Sequence, residues 1–565
     1  MPSLPWKKSR SSTLTEKQSK DVVDHHDQPT DNKDTTTPSD APSSPSETTR
    51  PTGLRLILLF LSLSLAVLLC ALDGTIIATA IPTITAHFDS LDDYSWYNSA
   101  FLLTTCAFQL PFGRAYSLVS TKWTFVFAIV VFEVGSAISG AAPTSLALIV
   151  GRAVQGLGCS GIFGGAFVII AETTPLDKRA LFNGFLGVNL PLGAVTLFVV
   201  ALFLPPIGNA KGPIKKDGQT WFQVLLRFDP IGTLILVPSI ISLLLALQWG
   251  GITYAWSDPV MIGLLVCFGV SILMWVAVQW WMGDDATIPG KVIKQRTVIF
   301  ASGYMLFGAA AFMVAVYYLP VWFQAIKGAS AVQSGINSLA LILAVVIASI
   351  AAGGAVVLIG YYVPFLLLGT ICMSVGAGLL MTLTPSSGKG AWIGYQILFG
   401  AGIGMSLEQC SIAVQTVLPE HLVASGTSLA VFARSFGGSI SIAIAENVFQ
   451  QELRERLANT VPGLNLEVIS GSGATDLVAD VTKATDGNQR IVDEVLREYS
   501  GALTQTFLVA VVLSALTGLF ALGVEWKSVK KDKKNKKEGE DDSKADDEAD
   551  AGQKTDDEKK GDAEE

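Results

Sequence analysis

The sequence predicts an all-α membrane protein of about thirteen transmembrane helices. Half of the 565 residues are hydrophobic and only 15% are charged. The mean hydropathy is +0.48. A soluble chain would carry about a quarter charged residues. Apolar runs also recur between short connections at the length a bilayer requires, about 20 residues.

Thirteen runs meet that length: 54–82, 95–116, 124–142, 145–171, 183–204, 230–250, 258–281, 298–323, 331–357, 361–383, 391–417, 424–449 and 504–525. They divide the chain into five regions. Residues 1–53 are Ser/Thr/Pro-rich and too polar for a core, so a disordered cytoplasmic N-tail is expected. Residues 54–204 form an N-terminal helical half. Residues 205–297 hold a basic loop and two linker spans, and 298–526 form a C-terminal half with an extracellular loop at 450–503. Residues 527–565 are a disordered charged C-tail. The net charge of −9 reflects that acidic tail rather than a binding surface.

Several function classes drop out. The six cysteines lie singly inside apolar runs, without CxxC pairs, so a disulfide framework or metal-ligand spacing is not expected. None of the four histidines sits mid-span. No GxxxxGK[ST] loop is present for nucleotide. An enzyme is therefore not expected, nor a cofactor, a metal or a nucleic-acid partner. The expected partners are a small molecule, protons and the lipid bilayer.

Lys and Arg near span ends collect on the cytoplasmic side. With the N-terminus inside, the loops holding Arg114 and Lys122, and Lys178 and Arg179, obey that rule. One span at 183–204 would then put Lys211 to Arg227 outside and invert every later basic loop. One more crossing between Arg179 and Leu204 would restore them all. The charge pattern calls for fourteen spans, and the chain supplies thirteen.

Ordered motifs carry more. "LDGTIIATAIPTI" (72–84) places Asp73 inside an apolar helix. "ALIVGRAVQGLGCSGIFGGAF" (147–167) places Arg152 in another. "YYLPVWFQAIKGASAVQSGI" (317–336), "WIGYQILFGAGIGM" (392–405), "AVQTVLP" (413–419) and "VEWKSVK" (524–530) follow. Together, over roughly residues 54–530, these resemble the fourteen-span drug:proton antiporter branch of the major facilitator superfamily, in particular fungal toxin and xenobiotic pumps. The resemblance implies a major facilitator fold, two six-helix halves plus two extra spans. It implies proton-coupled export of small amphipathic compounds by alternating access, driven by the proton gradient. A monomer in the plasma membrane is expected, with the vacuolar membrane as the alternative.

The chain departs from that pattern twice. Such antiporters have a fifth span ending in a Gly-Pro-x-x-Gly-Gly motif; here only Pro191 remains, with Leu190, Ala194 and Val195 where glycines are needed. The fifth span looks deleted, by true loss or by an exon left out of the gene reading. The expected fold has a gap at the fifth helix, with 183–204 in the sixth position after a strained connection. The loop "GRAYSLVSTKW" (113–123) keeps Gly113 and Lys122 of the family's cytoplasmic latch, with Ser117 where an Asp would stand. A second reading follows, a degenerate relative acting as a sensor or an inactive pump.

Ionisable groups inside spans cost about 2.5–3.5 kcal/mol each on insertion scales and normally face a cavity or a partner. Asp73 is a candidate proton carrier or a packing hydrogen bond. Arg152, with Gln155 one helical turn on, is implicated in proton coupling by the resemblance, or forms a structural pair with Glu133. Glu408 is a second titrating site, a contact for cationic substrates or a hydrogen-bonded carboxylate. Arg434 is expected to face the bundle. Glu446, near the outer end of the same run, is expected at the interface.

Overall fold

The apolar runs fold as continuous α-helices because a segment in lipid must satisfy its backbone polar groups within itself. The structure, a computed structural model, describes residues 56, 58–67, 69, 70, 73, 84, 88, 96–186, 226–251, 254–460, 481–483 and 488–530. The described helices are α1 (Leu58–Val67), α2 (Trp96–Leu118), α3 (Thr121–Gly140), α4 (Ser145–Thr173), α5 (Leu176–Leu186), α6 (Pro230–Trp249), α7 (Pro259–Met282), α8 (Arg296–Ala325), α9 (Ala331–Ile359), α10 (Val363–Met381), α11 (Lys389–Val417), α12 (Glu420–Thr460) and α13 (Gln489–Gly523). Ten of these described elements are long and apolar enough to cross a membrane. Helix α2 has 23 residues but is more polar.

Most helices match the apolar runs to within a few residues. Two differ at the segment 450–503, expected as a loop: α12 continues to Thr460 and α13 begins at Gln489. The run 183–204 also differs. Its first residues belong to a helix that starts earlier, at Leu176, where the Pro175 carbonyl accepts from the Lys178 and Arg179 amides at 3.0 and 3.2 Å. The basic "PLDKR" stretch is thus a first helical turn. Residues 187–204, with Pro191, lie outside the described residues, as do residues 1–53 and 531–565 of the two tails, so the expected gap and strained connection do too; residues 527–530, expected within the disordered C-tail, are described and pair with the end of α9.

Packing repeats in two halves. Helix α4 packs against α2 and α3, and α11 packs in the same way against α9 and α10. Glycines set both close approaches: a Cβ on Gly156 of α4 would lie 2.2 Å from the Phe101 carbonyl oxygen of α2, and one on Gly404 of α11 would lie 2.1 Å from that of Val345 of α9. Without a hydrophobic force between helices in lipid, such small residues let backbones come close. The halves meet along α2 with α12 and along α5 with α9. Each half has its own apolar core, around Leu63, Phe125, Phe132 and Ile162 in one and Tyr304, Trp322, Phe399 and Phe507 in the other.

The basic residues gather at one end. Helices α2 and α4 run parallel: the Tyr97 and Ser145 hydroxyls bond at 2.9 Å near one end, and the Tyr116 hydroxyl donates to the Gly161 carbonyl at 2.9 Å further on. So Leu118 and Thr173 end together. Arg114 there donates from Nε to the Arg227 carbonyl and from Nη2 to the Asp285 carbonyl, each at 2.9 Å. The starts of α3, α5, α6 and α8 share this end with Lys122, Lys178, Arg179, Lys291 and Arg296. The chain after α13 returns to it, where the Val529 amide donates to the Gly360 carbonyl at 2.9 Å. The inversion expected from a single crossing at 183–204 is absent: α5 starts and α6 starts at the same end.

Helices α6 and α7 form a hairpin beside the α2–α12 contact. Asp229 caps α6 from a left-handed backbone (φ 51°). Its carboxylate accepts from the Gly232 amide (2.7 Å), the Gln279 side chain (2.6 Å) and the Thr287 hydroxyl (2.6 Å). At the opposite end α6 touches both halves: the Gln248 amide bonds Ser99 of α2, and the Asn447 side chain of α12 donates to the Leu247 carbonyl at 3.4 Å. Helix α7 buries only Met261. Its all-round apolar surface suits lipid as solvent.

Candidate functional site

The first charged cluster joins Asp73 to α2 and α4. Arg152 sits on α4 where small residues crowd the helix against α2, and the side chain is 1% exposed. Such a buried cation needs a counter-charge and hydrogen bonds to balance its lost hydration. Nη1 donates to Asp73 Oδ2 and to Gln155 Oε1 (3.0 Å), and Nε donates to the Tyr97 carbonyl (3.0 Å). Gln155 Nε2 donates to the other carboxylate oxygen of Asp73 at 3.1 Å, and the Ser139 hydroxyl donates to Gln155 Oε1 at 3.3 Å. The guanidinium lies 4.6 Å from the Phe101 ring centroid. Asp73 keeps 23% of its side chain exposed, so one member of the pair is sealed and the other is reachable. Among the described residues, Nη2 of Arg152 is buried without a hydrogen-bond partner.

The sequence singled out Asp73, Arg152 and Gln155 separately; the fold makes them one cluster. The alternative Arg152–Glu133 pair does not form; the partner is Asp73. Glu133 lies on the exposed side of α3 with Val130 and Val134, because α3 turns its Phe132 and Gly135 side towards α4.

The second cluster lies in the other half. Arg434 Nη1 on α12 donates to Glu408 Oε1 on α11 at 3.0 Å, with 34% and 11% of the side chains exposed. Among the described residues, Glu408 Oε2 is buried without a hydrogen-bond partner. Each half therefore carries a carboxylate–guanidinium pair on its central packing helix, α4 in one and α11 in the other. The polarity differs: in the first the arginine is on α4, and in the second the carboxylate is on α11, the helix that packs equivalently.

The loop residues divide. Gly113 touches the other half: a Cβ there would lie 2.2 Å from Ser428 Cβ on α12. Lys122 stacks over its neighbour Trp123 at 5.9 Å from the ring centroid. Sequence reasoning missed Arg114, next to Gly113, which ties α2 to the α6–α7 hairpin. Its signal was a cation inside the span end rather than in the loop. The pairing of Glu408 with Arg434 was equally hidden, because 26 residues separate them.

Comparison with known proteins agrees with this architecture. Residues 63–213 match the Major Facilitator Superfamily profile. The chain is 45% identical over 509 residues to "MFS-type efflux pump MFS1" of Arthroderma benhamiae, covering 85% of this chain and 93% of that protein. It is 44% identical over 510 residues to "Efflux pump aflT" of Aspergillus parasiticus, covering 85% and 97%. It is 43% identical over 514 residues to "MFS-type transporter phomT" of Diaporthe leptostromiformis, covering 86% and 85%. The first alignment runs over 509 positions but uses 85% of the 565 residues, about 480, leaving about 30 positions with no residue here. With relatives this similar over most of its length, the chain belongs to the major facilitator superfamily, a family of multi-pass membrane transporters.

Proposed function

We propose that this chain is a proton-coupled exporter of small amphipathic compounds, with Asp73 as its proton-carrying carboxylate. The observation that carries the reading is the Arg152–Asp73 pair. Asp73 is the counter-charge of a fixed, buried guanidinium; protonation of Asp73 cancels the attraction and leaves Arg152 short of a counter-charge. The two forms of the pair therefore prefer different packings, as coupling requires. Gln155 holds both partners and keeps the pair aligned. The names of the 40–45% identical relatives, efflux pumps among them, support export.

The basic end is the cytoplasmic end on this reading. There the halves touch at Gly113 with Ser428, and at Ala180 with Gly353, where a Cβ would lie 2.5 Å from the Ala180 carbonyl oxygen. Opening towards the cytoplasm separates α2 from α12 and α5 from α9. Opening outward keeps them together. Substrate enters from the inner side and leaves from the outer one, in the plasma membrane, from a monomer.

One observation favours a second reading, a degenerate relative that no longer transports. Helices α5 and α6 start at the same end, which calls for an even number of crossings between them. The chain has a single apolar run there, 183–204, where a pair of crossings would need two runs of about 20 residues. Expression in an efflux-deficient host exposed to a panel of amphipathic toxins separates the two. Raised tolerance to at least one compound supports the exporter; unchanged tolerance, with the protein present in the membrane, supports the degenerate relative.

A further inference from the structure

Glu446 of α12 has no role in the coupling pair, and its surroundings do not neutralise it. Its Oε2 accepts from the Tyr318 hydroxyl of α8 at 2.7 Å, and Oε1 accepts from the side-chain amide of Gln450 at 2.9 Å. Both donors are neutral. Among the described residues, no Lys or Arg forms an ion pair with it. Asp73 and Glu408, by contrast, each have a guanidinium. The amide oxygen of Gln450 is buried and accepts from no described residue. It is thus an unused acceptor beside a formal negative charge.

The walls are aromatic. The Tyr318 ring lies 5.2 Å from that of Tyr317 and 5.9 Å from that of Phe449, which lies 5.3 Å from Tyr499 of α13. Tyr318, Phe449 and Tyr499 are buried, whereas Glu446 itself is half-buried. A carboxylate and an unused amide oxygen in aromatic surroundings suit a cation with a flat apolar body. The charge is met by Glu446 and any N–H by Gln450.

We propose that Glu446, Gln450 and Tyr318 form a cation subsite near the outer end of the bundle, taking the charged nitrogen of an amphipathic compound. As a station on a transport path it rests on the exporter reading; as a binding site it is testable without transport. The test uses the full chain, purified in lipid nanodiscs. Ethidium binding is followed by fluorescence anisotropy, and binding of its neutral parent phenanthridine by tryptophan quenching.

The expected result is saturable ethidium binding that Glu446→Gln weakens about tenfold, the scale of losing a charged partner. Phenanthridine binding stays unchanged, which also shows that the variant is folded. Tyr318→Phe removes the hydroxyl that positions the Glu446 carboxylate and should weaken ethidium about threefold. Asp73→Asn, which ends coupling on the exporter reading, should leave ethidium binding intact, so failure of coupling and failure of the subsite are told apart. Absence of saturable ethidium binding overturns the subsite. So does equal loss of both ligands in Glu446→Gln, or loss of ethidium in Asp73→Asn with Glu446→Gln unaffected.

Discussion

Arg152 reaches Asp73 through Nη1 while its other terminal nitrogen, Nη2, is buried with no hydrogen-bond partner among the described residues. The pair is therefore held but not saturated. A second acceptor brought to Nη2 in another packing would compete with Asp73 for the same guanidinium. An unpaired donor of this kind costs about 1–3 kcal/mol, enough to bias a two-state equilibrium without destroying the fold.

The coupling role predicts an asymmetry between substitutions at the pair. Asp73→Asn keeps hydrogen-bonding capacity and removes the titrating charge. Proton-driven flux should fall about 100-fold or more, the scale of losing a positioned proton-transfer group, with the protein still in the membrane. Arg152→Lys keeps the charge but loses the fork that serves Asp73, Gln155 and Tyr97 together, and it should lose most of the flux as well. Vesicle transport assays with matched protein levels check both.

The Glu408–Arg434 pair should behave as a unit. Glu408→Gln or Arg434→Met alone strands a part-buried charge, or its donor, and should cost about 1–3 kcal/mol. The double variant should cost less than the sum of the two, with a coupling of about 0.5–3 kcal/mol. Thermal unfolding of the four proteins in one detergent measures this cycle.

Contact between the halves at Gly353 should control access from the basic end. Gly353→Val forces α9 away from the Ala180 carbonyl, so the closed packing of α5 on α9 loses population. A Ser428→Cys reporter in the α2–α12 contact should then react with a membrane-impermeant maleimide about tenfold faster in inside-out vesicles. An unchanged rate would show that this contact is not a gate.

Arg114 should matter for stability more than for transport affinity. Arg114→Lys cannot reproduce the fork that serves the Arg227 and Asp285 carbonyls, and should cost about 1–3 kcal/mol in thermal unfolding. The KM of an exported compound should stay the same, because the α6–α7 hairpin lies outside both charged pairs. A changed KM with unchanged stability would place the hairpin in the transport path.

The native transcript across the codons for Glu172 to Pro191 should contain roughly 35 further codons, close to the shortfall of about 30 aligned positions. They should encode a span ending in Gly-Pro-x-x-Gly-Gly. A transcript that reads as printed would favour the degenerate relative.

Hydropathy made the helices legible because lipid imposes one rule on every span, so the run 230–250 became Pro230–Trp249 and 391–417 became Lys389–Val417. Polar helical extensions are not subject to that rule, which is why 450–460 and 489–503 read as loop. Asp73, Arg152, Gln155, Glu408 and Arg434 were each legible as costly residues in spans. Their partners were not: Asp73 and Arg152 are 79 residues apart, and the packing of α4 on α2 and α3, which leaves Glu133 on the exposed side of α3, decides that Arg152 turns to Asp73 and α2. Arg114 was passed over because a basic residue at a span end ordinarily reads as topology, while the fold uses it as a clasp.

The coupling itself is measured most directly with a compound the tolerance panel identifies, in inside-out vesicles carrying wild-type protein or Asp73→Asn. Wild-type vesicles should accumulate it when an inward-acid pH gradient is imposed, stop when a protonophore collapses the gradient, and Asp73→Asn vesicles should not respond to the gradient. Accumulation that ignores the gradient, or that persists in Asp73→Asn, would contradict Asp73 and Arg152 as the coupling pair.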